Sequence, residues 1–366
     1  MAYDVVIVGG GPAGLAAEHV ALRALPDPVG RREPNVGQGR LPYTAVWGSR
    51  VFHLNRPIGH RFRSLQWMAI APALGTKNMK IVVIGGSGRI GEKLVYNLRQ
   101  DDYMVREASP TFGVNAITRE GLDAALDGAQ VVVDVSQSPT LAGDDAIRFF
   151  ETSGRHLAAA SEAAGVEHRL ALSIVGVDRL ASGYFRAKKI QEDLLKASSI
   201  PFTILRATQF FEFIADVVQD GDTADVVISP ALAQPIAAED IAEALADLAT
   251  GPALNTILEV AGPDRFRLAD IAAEVLTAYE DPRQIIADIR APYFGAQLDD
   301  TSLLPGPGAR VGTLRFEDWL RQRLQPAVAA AGAPIGRAGA ALAASVEGNP
   351  SGHCVERPDR HQTPAL

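Results

Sequence analysis

Two residues four apart, Tyr184 and Lys188 in Tyr184-Phe-Arg-Ala-Lys188, carry the clearest chemistry in this sequence. On a helix, positions spaced this way share a face. An ammonium held beside a phenol favours the phenolate. The phenol then gives up its proton readily to an oxygen that gains charge as a hydride arrives. Ser173, at the end of the preceding expected strand, is placed to polarise the same oxygen. Tyr184, Lys188 and Ser173 are the candidate catalytic set. The same spacing also fits an ordinary polar helix face, since Lys189 adjoins Lys188.

Hydride chemistry needs a carrier, and a second motif supplies a place for one. In Lys80-Ile-Val-Val-Ile-Gly-Gly-Ser-Gly-Arg-Ile-Gly91 a short apolar run enters a turn with glycines at Gly85, Gly88 and Gly91. A helix is expected over Ile90 to Arg99. Strand, glycine turn and helix N-terminus, in that order, form a cradle for a dinucleotide pyrophosphate. The backbone can approach the phosphates, and the free N–H groups of the first helical turn face the anion. Gly85, Gly86, Ser87, Gly88, Arg89, Ile90 and Gly91 are the expected binding residues, and Lys188 can also reach a ribose. The next strand is expected over Tyr103 to Ala108. A carboxylate at its end would bind the ribose of NAD and repel the phosphate of NADP. The terminal positions are Ala108 and Ser109, with Arg106 close by, so NADP(H) is expected over NAD(H); Glu107 keeps NAD open.

The elements that hold these motifs alternate. Strands are expected at Gln130 to Asp134, Arg169 to Val175, Pro201 to Arg206, Asp225 to Ile228 and Ile257 to Val260. Helices are expected at Asp144 to Ala164, Tyr184 to Ala197, Glu239 to Leu248 and Leu268 to Tyr279. This pattern predicts an α/β fold with a doubly wound parallel sheet covered on both faces, and a ligand beyond the carboxyl ends of the strands.

A rival nucleotide signature comes first in the chain. Asp4-Val-Val-Ile-Val-Gly-Gly-Gly-Pro-Ala-Gly14 has Gly9, Gly11 and Gly14 in the spacing G-x-G-x-x-G, with a helix possible over Leu15 to Leu22. The second strand of such a unit should arrive within about 30 residues and carry an acidic residue. Glu33 lies at a suitable distance, but Leu25-Pro-Asp-Pro-Val-Gly-Arg-Arg before it has two prolines and no apolar run, which a central strand does not tolerate. Residues 1–23 resemble the FAD-binding start of flavoprotein hydroxylases. Residues 1–78 are nevertheless expected to be a remnant or fusion that binds no FAD. They hold nine Lys/Arg and four Asp/Glu, while the whole chain carries a net charge of −8, so composition shifts near Met79.

The acidic whole argues against a general nucleic-acid binder. The basic leader, with Trp47 and Trp67 among its arginines, reads as an extension without a binding motif. A single cysteine, Cys354, excludes an intrachain disulfide and a multi-cysteine metal site. The start has no basic n-region of a secretory signal. The Ala-rich stretch Ala327 to Val346 is broken by Gly332, Pro334, Gly336 and Arg337, so no membrane span is expected. The expected setting is cytoplasmic, with a small-molecule substrate, no nucleic acid, no membrane and no bound metal.

From Met79 to about Arg323 the chain resembles atypical short-chain dehydrogenase/reductases of the NmrA-like NAD(P)-binding group. The resemblance is carried by Val83 to Gly91, Ala129 to Val135, Leu172 to Gly176, Tyr184 to Glu192, Ile204 to Phe211 and Phe316 to Leu320. It implies a Rossmann-like core over 79–323 with a smaller substrate lobe, mainly 207–315. It implies a nicotinamide dinucleotide along Gly85 to Gly91, with Val135 and Ser136 lining the site and Thr208, Gln209 and Phe210 on the substrate side. The expected function is an NAD(P)H-dependent oxidoreductase reducing a carbonyl or quinone by hydride transfer. Members of this group often lose the Ser/Tyr/Lys set, so a non-catalytic NAD(P)-sensing regulator is the alternative. A bifunctional flavin/nicotinamide oxidoreductase is a third possibility.

Other residues read more plainly. His156 and His168, on or beside the long helix, lack metal-ligand spacing. Phe210, Phe211 and Phe213 fit either core packing or an apolar wall for a flat substrate. Arg206 reads as a buried structural cation before a substrate anchor, and Asp299 and Asp300 as a solvated pair. The tail over 324–366, rich in Ala, Gly and Pro, is expected to be flexible.

Overall fold

The computed structural model describes residues 3–7, 20–24, 43–47, 50–54, 79–140, 143–219 and 225–324. The chain divides into two units, Met1–Phe62 and Arg63–Leu366. Gly9, Gly11, Gly14 and Glu33, and the tail beyond Leu324 with Cys354, lie outside the described residues.

In the first unit β1 (Tyr3–Ile7) pairs antiparallel with β2 (Val20–Ala24), in register from Tyr3 opposite Ala24 to Ile7 opposite Val20. β3 (Tyr43–Trp47) and β4 (Arg50–Leu54) form a second antiparallel pair. The helix expected over Leu15 to Leu22 is therefore corrected at its end, where Val20 to Leu22 are strand. The pairing satisfies the backbone groups of β1 from an antiparallel neighbour, whereas a strand–helix–strand nucleotide unit would bring its second strand in parallel.

The second unit opens with β5 (Lys80–Ile84), whose Ile81, Val82, Val83 and Ile84 are all buried. A strand covered on both faces reads as a continuous apolar run. Each such side chain contributes about 1.5–3 kcal/mol on burial. The glycine turn leads into α1 (Arg89–Gln100), which buries Ile90, Leu94, Val95 and Leu98 on one stripe. Then come β6 (Met104–Ala108), a short helix α2 (Leu122–Leu126), β7 (Val131–Asp134), α3 (Gly143–Ala163), β8 (His168–Ile174), α4 (Gly183–Lys196) and β9 (Phe202–Ala207).

The chain continues through α5 (Phe211–Gln219), β10 (Val226–Ile228), β11 (Leu232–Ala233), α6 (Ala238–Ala249) and β12 (Thr256–Ala261). It closes with β13 (Phe266–Arg267), α7 (Leu268–Ala278), β14 (Ile285–Ala287), β15 (Arg310–Val311) and α8 (Phe316–Leu324).

Among the described residues, seven strands form one sheet in the order β15-β12-β9-β8-β7-β5-β6. Every adjacent pair is parallel. This is a Rossmann-like α/β architecture. From β5 the chain goes outward to β6 and then returns to β7 on the other side, so the order reverses between β5 and β7. Ligands of open parallel sheets bind at such a switch, beyond the carboxyl ends of the strands. The strand expected over Asp225 to Ile228 does form, as β10. It pairs with β14 in a separate two-stranded sheet rather than joining the main one. Within 207–315, β12 and β15 belong to the main sheet, and the remaining segments gather around a core of Phe211, Leu268, Ile271, Phe316 and Trp319.

Candidate active site

The switch point is built from the two loops that leave β5 and β7. Gly85 has φ +83°, a conformation L side chains rarely adopt, and a Cβ there would sit 2.9 Å from the backbone of Val135 and Ser136. The glycine turn and the β7 loop therefore touch backbone to backbone. Gly88 N–H donates to the Gly85 carbonyl at 2.9 Å, and the first intrahelical bond of α1 runs from Glu92 N–H to Gly88. The N–H groups of Arg89, Ile90 and Gly91 thus stand in the first turn, where an anion is favoured.

Buried hydroxyl and amide oxygens around this edge lack partners. Among the described residues, the Oγ atoms of Ser109, after β6, and Ser138, after β7, have no hydrogen-bond partner, and neither has Gln209 Oε1, after β9. All three residues are more than nine-tenths buried. Leaving such groups unpaired costs about 1–3 kcal/mol each. A polar ligand beyond the strand ends would satisfy them, so the residues present fit a dinucleotide. Glu107 is not free for a ribose. It is ion-paired with Arg99 at 2.6 Å. Arg106 is exposed on β6. Arg89 pairs with Asp216 of α5 at 2.6 Å.

Tyr184 and Lys188 both stand on α4 and both are buried. The Tyr184 hydroxyl donates to Gln137 Oε1, in the loop after β7. Its ring packs against Phe150 (centroids 6.2 Å apart) and Phe294 (5.5 Å). Burial raises its pKa above that of a free phenol; the Gln137 bond opposes this and the Asp134 carboxylate adds to it. The Lys188 ammonium donates to the Leu172 carbonyl at 2.7 Å and to Gln191 Oε1, and it lies 4.6 Å from the Phe150 ring centroid. Burial lowers its pKa to about 8, against the pull of Asp134 and Glu192.

Ser173 belongs to a different set. Its hydroxyl donates to Glu192 Oε1 at 2.7 Å. Glu192 takes two bonds from Arg206, Nε–H to Oε1 and Nη2–H to Oε2, both 2.7 Å. Arg206 also donates to Asp178, and Lys196 reaches Glu192 Oε2 at 3.2 Å. Burial pushes the Glu192 carboxyl up, but its bonds from Arg206 and Ser173 bring it below the usual range. Arg206 is thereby a buried structural cation.

Phe211 is fully buried in the lobe core, Phe213 stacks at 5.6 Å from Phe294, and Phe210 is half-buried beside a bridge to Ile236. Thr208 Oγ1 donates to the Gln234 carbonyl at 2.6 Å. His168 is not on the long helix; it opens β8. Its Nε2 lies 3.0 Å from Thr203 Oγ1, and burial lowers its pKa to about 4. Gly165, at φ +68°, turns the chain after α3, and the apolar run from Leu170 to Ile174 carries it into the sheet. Asp134, Gln137, Gln191 and Phe294 were not singled out from the sequence. Gln191 shares the helical face of Tyr184 and Lys188, which periodicity can reveal; Gln137 and Phe294 come from loops with no periodic signal.

The family model described as NAD(P)H-binding matches residues 85–252, so the chain contains a nicotinamide-dinucleotide-binding segment that covers the glycine turn, Tyr184 and Lys188. No curated protein matches the chain in sequence. Among solved structures it is similar to the Bordetella bronchiseptica enzyme WbmG in complex with NAD, at 17% identity and TM-score 0.51, over 69% of this chain and 94% of that one. It is also similar to a short-chain dehydrogenase/reductase superfamily protein from Agrobacterium tumefaciens with bound NAD, at 15% identity and TM-score 0.50, over 67% and 96%. A third is dTDP-4-dehydrorhamnose reductase from Bacillus anthracis in complex with NADP, at 12% identity and TM-score 0.49, over 67% and 97%. At these identities the first two bear on the fold alone. Among the described residues, no helix is long and apolar enough to cross a membrane.

Proposed function

We propose that the chain is an NAD(P)H-dependent oxidoreductase that reduces a carbonyl or quinone-type small molecule, with Tyr184 as the proton donor. The observation that carries this reading is the bond from the Tyr184 hydroxyl to Gln137, in the same loop whose backbone closes on the glycine turn. The dinucleotide is held by the turn from Gly85 to Gly91, by Ser109, Val135 and Ser136, and by Lys188. When bound, it supplies the hydride.

Tyr184 keeps its proton at neutral pH because burial disfavours the phenolate. A substrate oxygen that displaces Gln137 as acceptor takes that proton as its own charge grows. Lys188 remains an ammonium at neutral pH, and its positive charge favours the phenolate left behind. Ser173 commits its hydroxyl hydrogen bond to Glu192, so its part is to hold β8 against α4. Thr208, Gln209 and Phe210 form the substrate side, with the free Gln209 Oε1 as an orienting acceptor. NADP(H) is favoured because Glu107 is committed to Arg99 and the residue that follows the strand, Ser109, carries no charge. Residues 1–78 are proposed to bind no FAD, in keeping with the antiparallel β1–β2 pairing.

The test is loss of nicotinamide absorbance with NADPH or NADH over a panel of carbonyls and quinones. Wild type should turn over at least one acceptor, faster with NADPH. Equal activity in Tyr184→Phe removes the proton-donor assignment. One observation favours a second reading, a nucleotide-sensing regulator: the Tyr184 ring is already enclosed by Phe150 and Phe294. Tight NADP(H) binding with no acceptor reduced supports that reading.

A further inference from the structure

The polar groups beneath the first turns of α4 converge on one carboxylate. Asp134 ends β7 and is buried. Its Oδ2 accepts Gln191 Nε2–H at 2.7 Å. That bond turns Gln191 Oε1 toward Lys188, whose ammonium donates to it. The opposite amide orientation would set an N–H against the ammonium, so the carboxylate selects the one that serves Lys188. Asp134 Oδ1 accepts Ser136 N–H at 3.0 Å and Ser136 Oγ–H at 2.6 Å. Those bonds pin the loop that carries Gln137, the acceptor of the Tyr184 hydroxyl. One carboxylate reaches Lys188 through the Gln191 amide and Tyr184 through Ser136 and the Gln137 that follows it in the loop.

The surroundings make that carboxylate consequential. Lys188 is enclosed by the Phe150 ring from α3 and the Leu172 carbonyl from β8. The ionisable groups that act on it are Asp134 from β7 and Glu192 from its own helix. Glu192 is neutralised by two bonds from Arg206 of β9. The direct partners of Asp134, Ser136 and Gln191, are uncharged, and Arg169 of β8 acts on it only at a distance.

We propose that Asp134 is the positioning residue of this site, holding Lys188 charged and aimed through Gln191 and fixing the Tyr184 acceptor through the Ser136–Gln137 loop. Its meaning for turnover rests on the reductase reading; the linkage to Lys188 does not.

The experiment follows the Lys188 ammonium directly. Lysine side-chain carbon resonances are titrated in the wild-type protein, in Asp134→Asn and in Gln191→Leu, with the Lys188 signal assigned by its loss in Lys188→Met. Thermal melts establish that each variant is folded. The expected result is a Lys188 midpoint lower by about one unit in Asp134→Asn, a smaller drop in Gln191→Leu, and return toward wild type in Asp134→Glu. An unchanged midpoint in both folded variants overturns the proposal. With an acceptor in hand, the alkaline limb of kcat against pH should move down by the same amount while KM stays within about twofold. A wild type that reduces nothing defeats the reductase reading and leaves the titration to decide the role of Asp134.

Discussion

Two polar networks hang from the same helix, and they are finished differently. In one, Glu192 collects Ser173, Arg206 and Lys196, and Arg206 reaches on to Asp178. Both Glu192 oxygens are satisfied by protein. In the other, Gln137, Gln191 and Asp134 bind Tyr184, Lys188 and Ser136, and among the described residues the surrounding strand ends leave Ser109, Ser138 and Gln209 with unpaired atoms. A closed network holds a fold together, whereas one bordered by unpaired buried groups has room in its bonding for a ligand. The difference places Ser173 in the closed network and Tyr184 in the open one, although the sequence presents them as one set.

The comparison breaks most visibly at Glu192. Glu192→Ala strands Arg206 without its buried partner and should cost about 3–5 kcal/mol in denaturant unfolding. Because the folded pKa of Glu192 is depressed, its contribution is complete above the unfolded value and fades as pH falls below it. Glu192→Gln should therefore flatten the acid end of the stability profile. Tyr184→Phe does the reverse. It should lower kcat by about a hundredfold or more, while stability changes by no more than about 1.5 kcal/mol. Gly85→Ala meets both the positive φ and the Ser136 backbone, so it should cost about 1–2 kcal/mol and weaken nucleotide binding in a fluorescence titration. The mildest pair sharpens the contrast. Ser109→Ala, which removes a buried hydroxyl without a protein partner, should raise the stability of the unliganded protein by about 1 kcal/mol but weaken NADP(H) by roughly fivefold, whereas Ser173→Ala should lose about 1 kcal/mol of stability with nucleotide affinity intact.

The sheet was legible because its central strands are uninterrupted β-branched runs, Ile81 to Ile84 and Val131 to Val133, separated by amphipathic helices. The glycine turn was legible for the same local reason. Edge strand β15, only two residues long, offers no periodicity to read, and β10 carries nothing to say which sheet it joins. At the site, Tyr184 and Lys188 announce themselves by spacing. What Ser173 bonds to depends on the register that sets it opposite Arg206, a property of two strands distant in sequence. Gln137 and Phe294 matter only through where tertiary packing delivers them.

One contact from the lobe has a consequence for the order of assembly. Phe294 has φ +50°, and its carbonyl oxygen would lie 2.5 Å from a Cβ at Gly183, the residue before Tyr184. The tight turn of residues 293–296 therefore docks on the start of α4. During synthesis the glycine turn, Tyr184 and Lys188 all leave the ribosome well before that turn does. Tyr184 lacks one wall of its enclosure until this late segment of the chain arrives, so Phe294→Ala should expose the Tyr184 ring to solvent.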